Sequence, residues 1–149
     1  MLRRHDHQTL RLWSAATPDH FDFQQFSSGD FVGALAERLA AETLTRVLYP
    51  YDSTGEGRGL RLLQQYFLVA CTLAYSVRRF RAAGNDWPTL PDKVAIQLND
   101  THPTLAVPEL MRILLDQAHL GWDEAWALTK RTFAYTNHTL LPEALETWP

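Results

Sequence analysis

A single cysteine in 149 residues, Cys71, leaves no partner for an intrachain disulfide. The chain is therefore not a disulfide scaffold, and a reducing compartment is expected. Cys71 lies in an apolar stretch (QQYFLVACTLAYSV) and reads as a small core hydrophobe. No apolar run approaches a membrane span of about 20 residues. The basic start, MLRRHDHQTLRLW, lacks the apolar core of a signal peptide, so a cytoplasmic protein is expected. A net charge of −3 provides no electrostatic footprint for nucleic acid or an anionic membrane. There is no internal repeat and no low-complexity segment. His5 and His7 form an HDH triplet, but no second group of ligands at metal-binding spacing accompanies it, so no metal site is expected.

The composition that remains, 46% hydrophobic and 21% charged, is that of an ordinary globular chain. Two stretches stand out. Residues 93–109 read KVAIQLNDTHPTLAVPE and residues 132–149 read TFAYTNHTLLPEALETWP. Each opens with an apolar run suited to a buried strand, turns polar with an Asn and a His, and leads through Pro and Glu toward a helix. In open α/β sheets, sites form outside the carboxyl ends of the strands. Asp100, His102, Asn137 and His138 are therefore expected to converge on one ligand.

The other elements follow from periodicity. Residues 9–14 (TLRLWS) alternate as a short strand, and Pro18, Asp19 and Asp22 mark a loop. Asp30 is a plausible N-cap for a helix over residues 31–48, whose apolar residues recur at helical spacing. Residues 51–59 (YDSTGEGRG) read as a mobile loop, and not as a phosphate-binding loop, since no strand precedes them. A second long helix is expected over residues 60–82, with Leu63, Tyr66, Phe67, Ala70, Leu73, Ala74, Val77 and Phe80 on its apolar face. Arg78, Arg79 and Arg81 near its end suit the negative pole of the helix dipole, and an anion site is the sharper alternative. A strand is expected at 94–98 and helices at 105–119 and 123–132. Asp123 would cap the latter, with Trp126 and Ala127 facing inward, and Pro108 would sit in the first turn of the former or kink it. A strand at 133–136 leads to a helix over 142–148, opened by Pro142. Strands alternating with helices predict a parallel sheet.

Each polar cluster also has a plain structural reading. An Asn-Asp pair after a strand is turn chemistry, and Thr or Asp before Pro is a helix start. Glu143 and Glu146, three apart, would share a helix face, where the helix dipole alone explains them. What favours a ligand site is the equivalent placement of both clusters, which offers donors and acceptors suited to a polyhydroxyl ligand. Asp100 with Glu143 as a hydrolytic acid–base pair is a weaker alternative, since that mechanism needs a defined carboxylate separation. The chain ends just past this cluster, and a last helix of two turns would have little to hold it, so it reads as a piece of a larger protein.

KVAIQLNDTHPTLAVPELMRILLD followed by WDEAWALTKRTFAYTNHTLLPEALETWP resembles the α-1,4-glucan (glycogen, starch or maltodextrin) phosphorylases. The segments LRLWSA, GDFVGALAERLAAETLTRVLYP and LRLLQQYFLVACTLAYSVRRF agree in order, so the resemblance covers nearly the whole chain from Thr9. It implies phosphorolysis: inorganic phosphate releases α-glucose 1-phosphate from the ends of an α-1,4-glucan. It also implies pyridoxal phosphate as cofactor, acting through its phosphate group, and a homodimer of two-domain, doubly wound (Rossmann-like) subunits. Residues 1–149 would be an incomplete N-terminal domain with two long helices. The C-terminal domain and the lysine segment that holds the cofactor are not among them, so the chain by itself is expected to be inactive.

By the same resemblance, His138 matches the catalytic histidine at the glucosyl 6-hydroxyl. Asp100, His102, Asn137, Glu143 and Glu146 match pocket-lining residues. Asp52 matches the acidic residue of a gating loop, and Arg61 an arginine beside the pocket. Arg78 and Arg79 match an arginine pair that binds nucleotide phosphate in regulated animal members, an allosteric role. Residues 31–48 match the helix that packs across the dimer. Tyr51 and Ser53 stand where asparagines are common, Thr147 replaces a frequent arginine, and the 81–92 connection is shorter than in animal enzymes. The alternative expectation is a non-catalytic glucan-binding or dimerisation module of that family.

Overall fold

The computed structural model describes residues 9–17 and 22–148. The HDH triplet, Pro18 and Asp19 lie outside the described residues. The chain divides into two compact units, Met1–Pro50 and Tyr51–Pro149.

In the first unit, Asp22 Oδ1 accepts from the Gln25 amide at 2.9 Å and starts helix α1, Phe23–Ser27. Asp30 does cap, as expected: its Oδ1 accepts from the Gly33 amide at 2.9 Å. The structure it starts is a 3-10 turn, Gly33–Leu35, before helix α2, Ala36–Arg46. The predicted helix over 31–48 is thus shorter at both ends. The chain turns extended at Val47 (φ −140°) and left-handed at Tyr49 (φ 56°). Residues 9–14 do not form the expected strand: they carry no regular structure, and among the described residues the sheet has only two strands, both in the second unit. Alternation makes a segment strand-like, but backbone pairing makes it a strand.

The second unit begins with helix α3, Gly55–Ala82. It starts five residues earlier than predicted, so the glycine-rich stretch is largely its first turn. Thr54 caps it by accepting from the Gly57 amide at 3.1 Å, and Glu56 faces the positive end of the dipole. Gly57 is required by a close approach, because a Cβ there would strike the Tyr51 carbonyl. Leu73 and Phe80 of the predicted face are buried, joined by Val69 and Gln64, while Leu63 and Tyr66 are exposed.

Helix α4, Leu90–Lys93, leads into strand β1, Ile96–Asn99. Helix α5, Ala106–Arg112, takes Pro108 at its third position, where a missing N–H removes no helical bond. It continues as a π turn, Ile113–Gln117. Helix α6, Trp122–Thr132, is followed at once by strand β2, Phe133–Thr136. Its N-cap is Gly121 rather than Asp123, which lies in the first turn. Trp126 and Ala127 face outward; Ala125, Leu128, Thr129 and Thr132 are buried instead. Thr129 and Thr132 satisfy their hydroxyls locally, on Met111 Sδ at 3.3 Å and the Leu128 carbonyl at 2.9 Å, and so fit a core face that apolar periodicity alone misses.

Strands β1 and β2 pair in parallel, with Ile96 opposite Phe133 and Asn99 opposite Thr136. The core beneath joins Leu73 and Phe80 of α3, Leu98 of β1, Leu110 of α5, Leu114 of the π turn and Leu128 of α6. The architecture is mixed and helix-rich, with a small parallel sheet. Among the described residues no helix is long and apolar enough to cross a membrane.

Candidate functional site

The register of the sheet brings the two polar strand ends side by side. Asp100 takes a left-handed backbone (φ 61°), which Asp tolerates better than most residues. This directs its amide to the Thr136 carbonyl at 2.8 Å, one step beyond the ladder. Its Oδ1 accepts from the His138 amide at 2.7 Å, and Asn99 Oδ1 lies 3.3 Å from His138 Nε2. Asp100 and His138 therefore meet directly, as the equivalent strand ends predict.

Asn137 does not join them. Its side chain folds back on its own turn, accepting from the Thr139 amide at 3.1 Å and donating to the Thr139 carbonyl at 2.8 Å. That is Asx-turn chemistry, the plain reading of this residue.

The expected helix over 142–148 is reduced to a 3-10 turn, Pro142–Ala144. Glu143 and Glu146 consequently share no helical face. Glu143 is exposed, whereas the Glu146 side chain, 14% exposed, turns inward. Its Oε1 accepts from Gln65 Nε2 at 2.8 Å and from Arg61 Nη2 at 3.3 Å. Its Oε2 accepts from Thr101 Oγ1 at 3.0 Å and lies 3.4 Å from His102 Nδ1. Arg61 reaches the other way through Nη1 to Asp52 Oδ2 at 2.6 Å.

Two groups of polar side chains thus occupy this end of the unit: Asn99, Asp100 and His138; and Asp52, Arg61, Gln65, Thr101, His102 and Glu146. The backbone step from Asp100 to Thr101 joins them. Of the residues predicted for the site, Asp100, His138, His102, Glu146, Arg61 and Asp52 belong to this network, while Glu143 and Asn137 stand outside it. Gln65 was missed. The available signal was its spacing, four residues after Arg61 on one helix face.

Arg78 and Arg79 lie elsewhere, each guanidinium 5.6 Å from the centre of the Tyr75 ring. Arg79 lines a cavity of about 400 Å³ with Tyr75, Ser76, Asn85 and Lys93, where the chain enters β1 rather than where it leaves. Arg81 donates to the Asn85 carbonyl at 2.8 Å and covers the Trp87 ring, tying the segment after α3 to the helix end. The third charged feature is Glu109, buried at 5% exposure. Arg112 grips it through two hydrogen bonds of 2.8 Å, and Tyr66 Oη donates to it at 3.2 Å. The Arg112 hydrogen bonds hold the Glu109 carboxyl below the ordinary carboxylate value against the opposing effect of burial, and the same bonds raise Arg112. Burial pushes the Cys71 thiol up, as suits an unreactive cysteine. Among the described residues no group of three or more His, Cys, Asp or Glu is placed to hold a metal ion.

A polar network lies at the carboxyl ends of two parallel strands on a helix-rich unit, the position at which sites form in open α/β sheets, and the sequence supplies the family. Residues 2–149 match the carbohydrate phosphorylase family, and the chain belongs to that family. It is 55% identical to the liver form of human glycogen phosphorylase, aligned over 95% of this chain and 18% of that protein. It is 54% identical, over the same shares, to the human brain form and the bovine liver form. The chain thus spans about 18% of the length of these relatives.

Proposed function

We propose that this chain supplies one wall of the glucosyl site of an α-1,4-glucan phosphorylase, a glycosyltransferase that uses inorganic phosphate to release α-glucose 1-phosphate. The observation that carries this reading is the direct junction of Asp100 with His138 at the paired strand ends, in a chain of the phosphorylase family. His138 is the catalytic residue: its backbone and imidazole, fixed by Asp100 and Asn99, would lie against the reacting sugar, where charge develops in the transition state. Asp100, His102 and Glu146 line the pocket, Arg61 lies beside it, and Asp52 controls access. Glu143 and Asn137 are secondary, one exposed and the other serving its own turn.

On this reading residues 1–149 form part of a doubly wound N-terminal domain of a dimeric, cytoplasmic enzyme. The sheet seen here would be two strands of a larger one.

The relatives are glycogen phosphorylases, and the family resemblance implies pyridoxal phosphate as the cofactor of the whole enzyme. The residues present do not fit a covalent site for that group. The chain has two lysines. Lys93 lines the cavity before β1, at the other end of the strand from Asp100, and Lys130 covers the Trp126 ring at 5.8 Å. No step is therefore assigned to the cofactor on these residues, and Arg78 and Arg79 are left with capping as the simpler role.

A second reading, a dimerisation module, draws support from one observation. Phe31, Val32, Leu35 and Leu39 are exposed along the segment that resembles the dimer helix.

The test is a chimera in which this chain replaces the equivalent segment of human liver glycogen phosphorylase. Phosphorolysis of maltodextrin is expected from the chimera and not from the 149-residue chain with phosphate and cofactor. A folded, cofactor-loaded chimera without turnover would overturn the first reading and leave the module.

A further inference from the structure

Glu146 lies in a segment with little backbone structure of its own, since regular bonding stops at the 3-10 turn Pro142–Ala144. Its position is set by what its carboxylate touches. One oxygen faces α3 through Gln65 and Arg61; the other faces the turn after β1 through Thr101 and His102. Hydrogen bonds to an ionised carboxylate are shorter and stronger than neutral ones, and burial strengthens them further. Arg61 then extends the chain of contacts to Asp52, in the loop before α3. Residues remote in sequence, Asp52 and Thr101, are joined through one carboxylate.

We propose that Glu146 is a positioning residue that couples the loop carrying Asp52 to the turn after β1 that carries His102 and, through Asp100 on that turn, to His138 after β2, with Gln65 and Thr101 fixing its carboxylate. The consequence for catalysis rests on the proposed glucosyl site, but the coupling is a property of the network alone. Glu146→Gln conserves shape but removes the charge and one of the two acceptor oxygens, so Arg61 and Gln65 on one side and the Thr101 hydroxyl on the other can no longer all donate to it.

The experiment is hydrogen exchange followed by mass spectrometry on the 149-residue chain, reading peptides that cover residues 51–58 and 133–141. Glu146→Gln is expected to accelerate exchange in both by about tenfold, with little change over residues 106–132. Glu143→Gln, at an exposed carboxylate, is expected to change neither. Thr101→Val, which deletes the hydroxyl, should reproduce the effect, and Thr101→Ser, which keeps it, should restore the native rates. Acceleration confined to residues 144–148, or Thr101→Ser behaving like Thr101→Val, would overturn the proposal. If Glu146→Gln does not fold, the Thr101 pair and Gln65→Met decide the question. No glucan or phosphate enters the measurement, so its failure is distinct from failure of the glucosyl-site reading.

Discussion

The two units of this chain dispose of their apolar residues in opposite ways. In Tyr51–Pro149, residues from α3, α4, α5 and α6 close on a common core, and Leu90, Leu110 and Leu114 are almost wholly withdrawn from solvent. In Met1–Pro50, Ala34 is the sole buried hydrophobic among the described residues, while Leu10, Leu12, Phe31, Val32 and Leu39 are exposed. Both sequences are rich in helix-spaced apolar residues, so periodicity is not what separates them. Periodicity creates a face, and stability comes only when a second face covers it.

The two units should differ most in their response to core truncation. Leu114→Ala, at a site with 0% exposure, is expected to destabilise the second unit by about 2–5 kcal/mol through lost transfer energy and a residual cavity. Leu39→Ala, at 52% exposure, should stay within about 0.5 kcal/mol. Denaturant titration measures both, and a comparable loss at Leu39 would show that the first unit has a core after all.

A smaller effect is expected at the buried ion pair. Arg112→Met leaves the Glu109 carboxylate buried without its main partner, at a cost of about 3 kcal/mol near neutral pH. The exposure of Arg112, whose side chain is 44% accessible, keeps this toward the lower part of the usual range. The pH dependence has a definite sign. Because the folded-state carboxyl is held below its unfolded value, the native pair contributes stability above about pH 4.3 and loses it as pH falls through the lower folded value. In the variant the buried, unpaired carboxyl binds its proton more readily. The stability gap between native chain and variant should therefore narrow as acid is added. A constant gap would mean that Glu109 is not what Arg112 stabilises.

The least costly substitution is Leu39→Glu, which should leave the unfolding midpoint of the second unit unchanged. It should reduce concentration-dependent light scattering and the binding of dyes to apolar surface. Scattering that does not change would remove α2 as an association surface.

What could be read in the sequence follows the same division. Both strands of the sheet, their parallel pairing and the meeting of Asp100 with His138 were legible, because apolar runs ending in polar clusters report a local transition. The start of α3 was not. Glycine content suggested a loop, but Thr54 capping and the Tyr51 carbonyl packed on Gly57 make those glycines the start of a helix. The tail was misread for a related reason. Pro142, Glu143 and Glu146 carry the local signs of a helix, yet Glu146 is drawn inward by Arg61, Gln65, Thr101 and His102. All four partners come from other segments of the sequence, so no local window contains the competition that decides the outcome. Residues 9–14 failed for want of a pairing partner, which alternation cannot supply.

On the proposed reading, the turn held by Asp100 faces the reacting sugar through His138. Steady-state kinetics of His138→Ala in the active chimera test it most directly, with Asp100→Ala beside it. A group that stabilises charge developing only in the transition state affects the rate constant rather than ground-state binding. His138→Ala is expected to lower kcat by about 100-fold or more with little change in KM, as loss of one preorganised contact does. Asp100→Ala should produce a smaller loss. Equal losses in the two variants, appearing only as a raised KM, would contradict it.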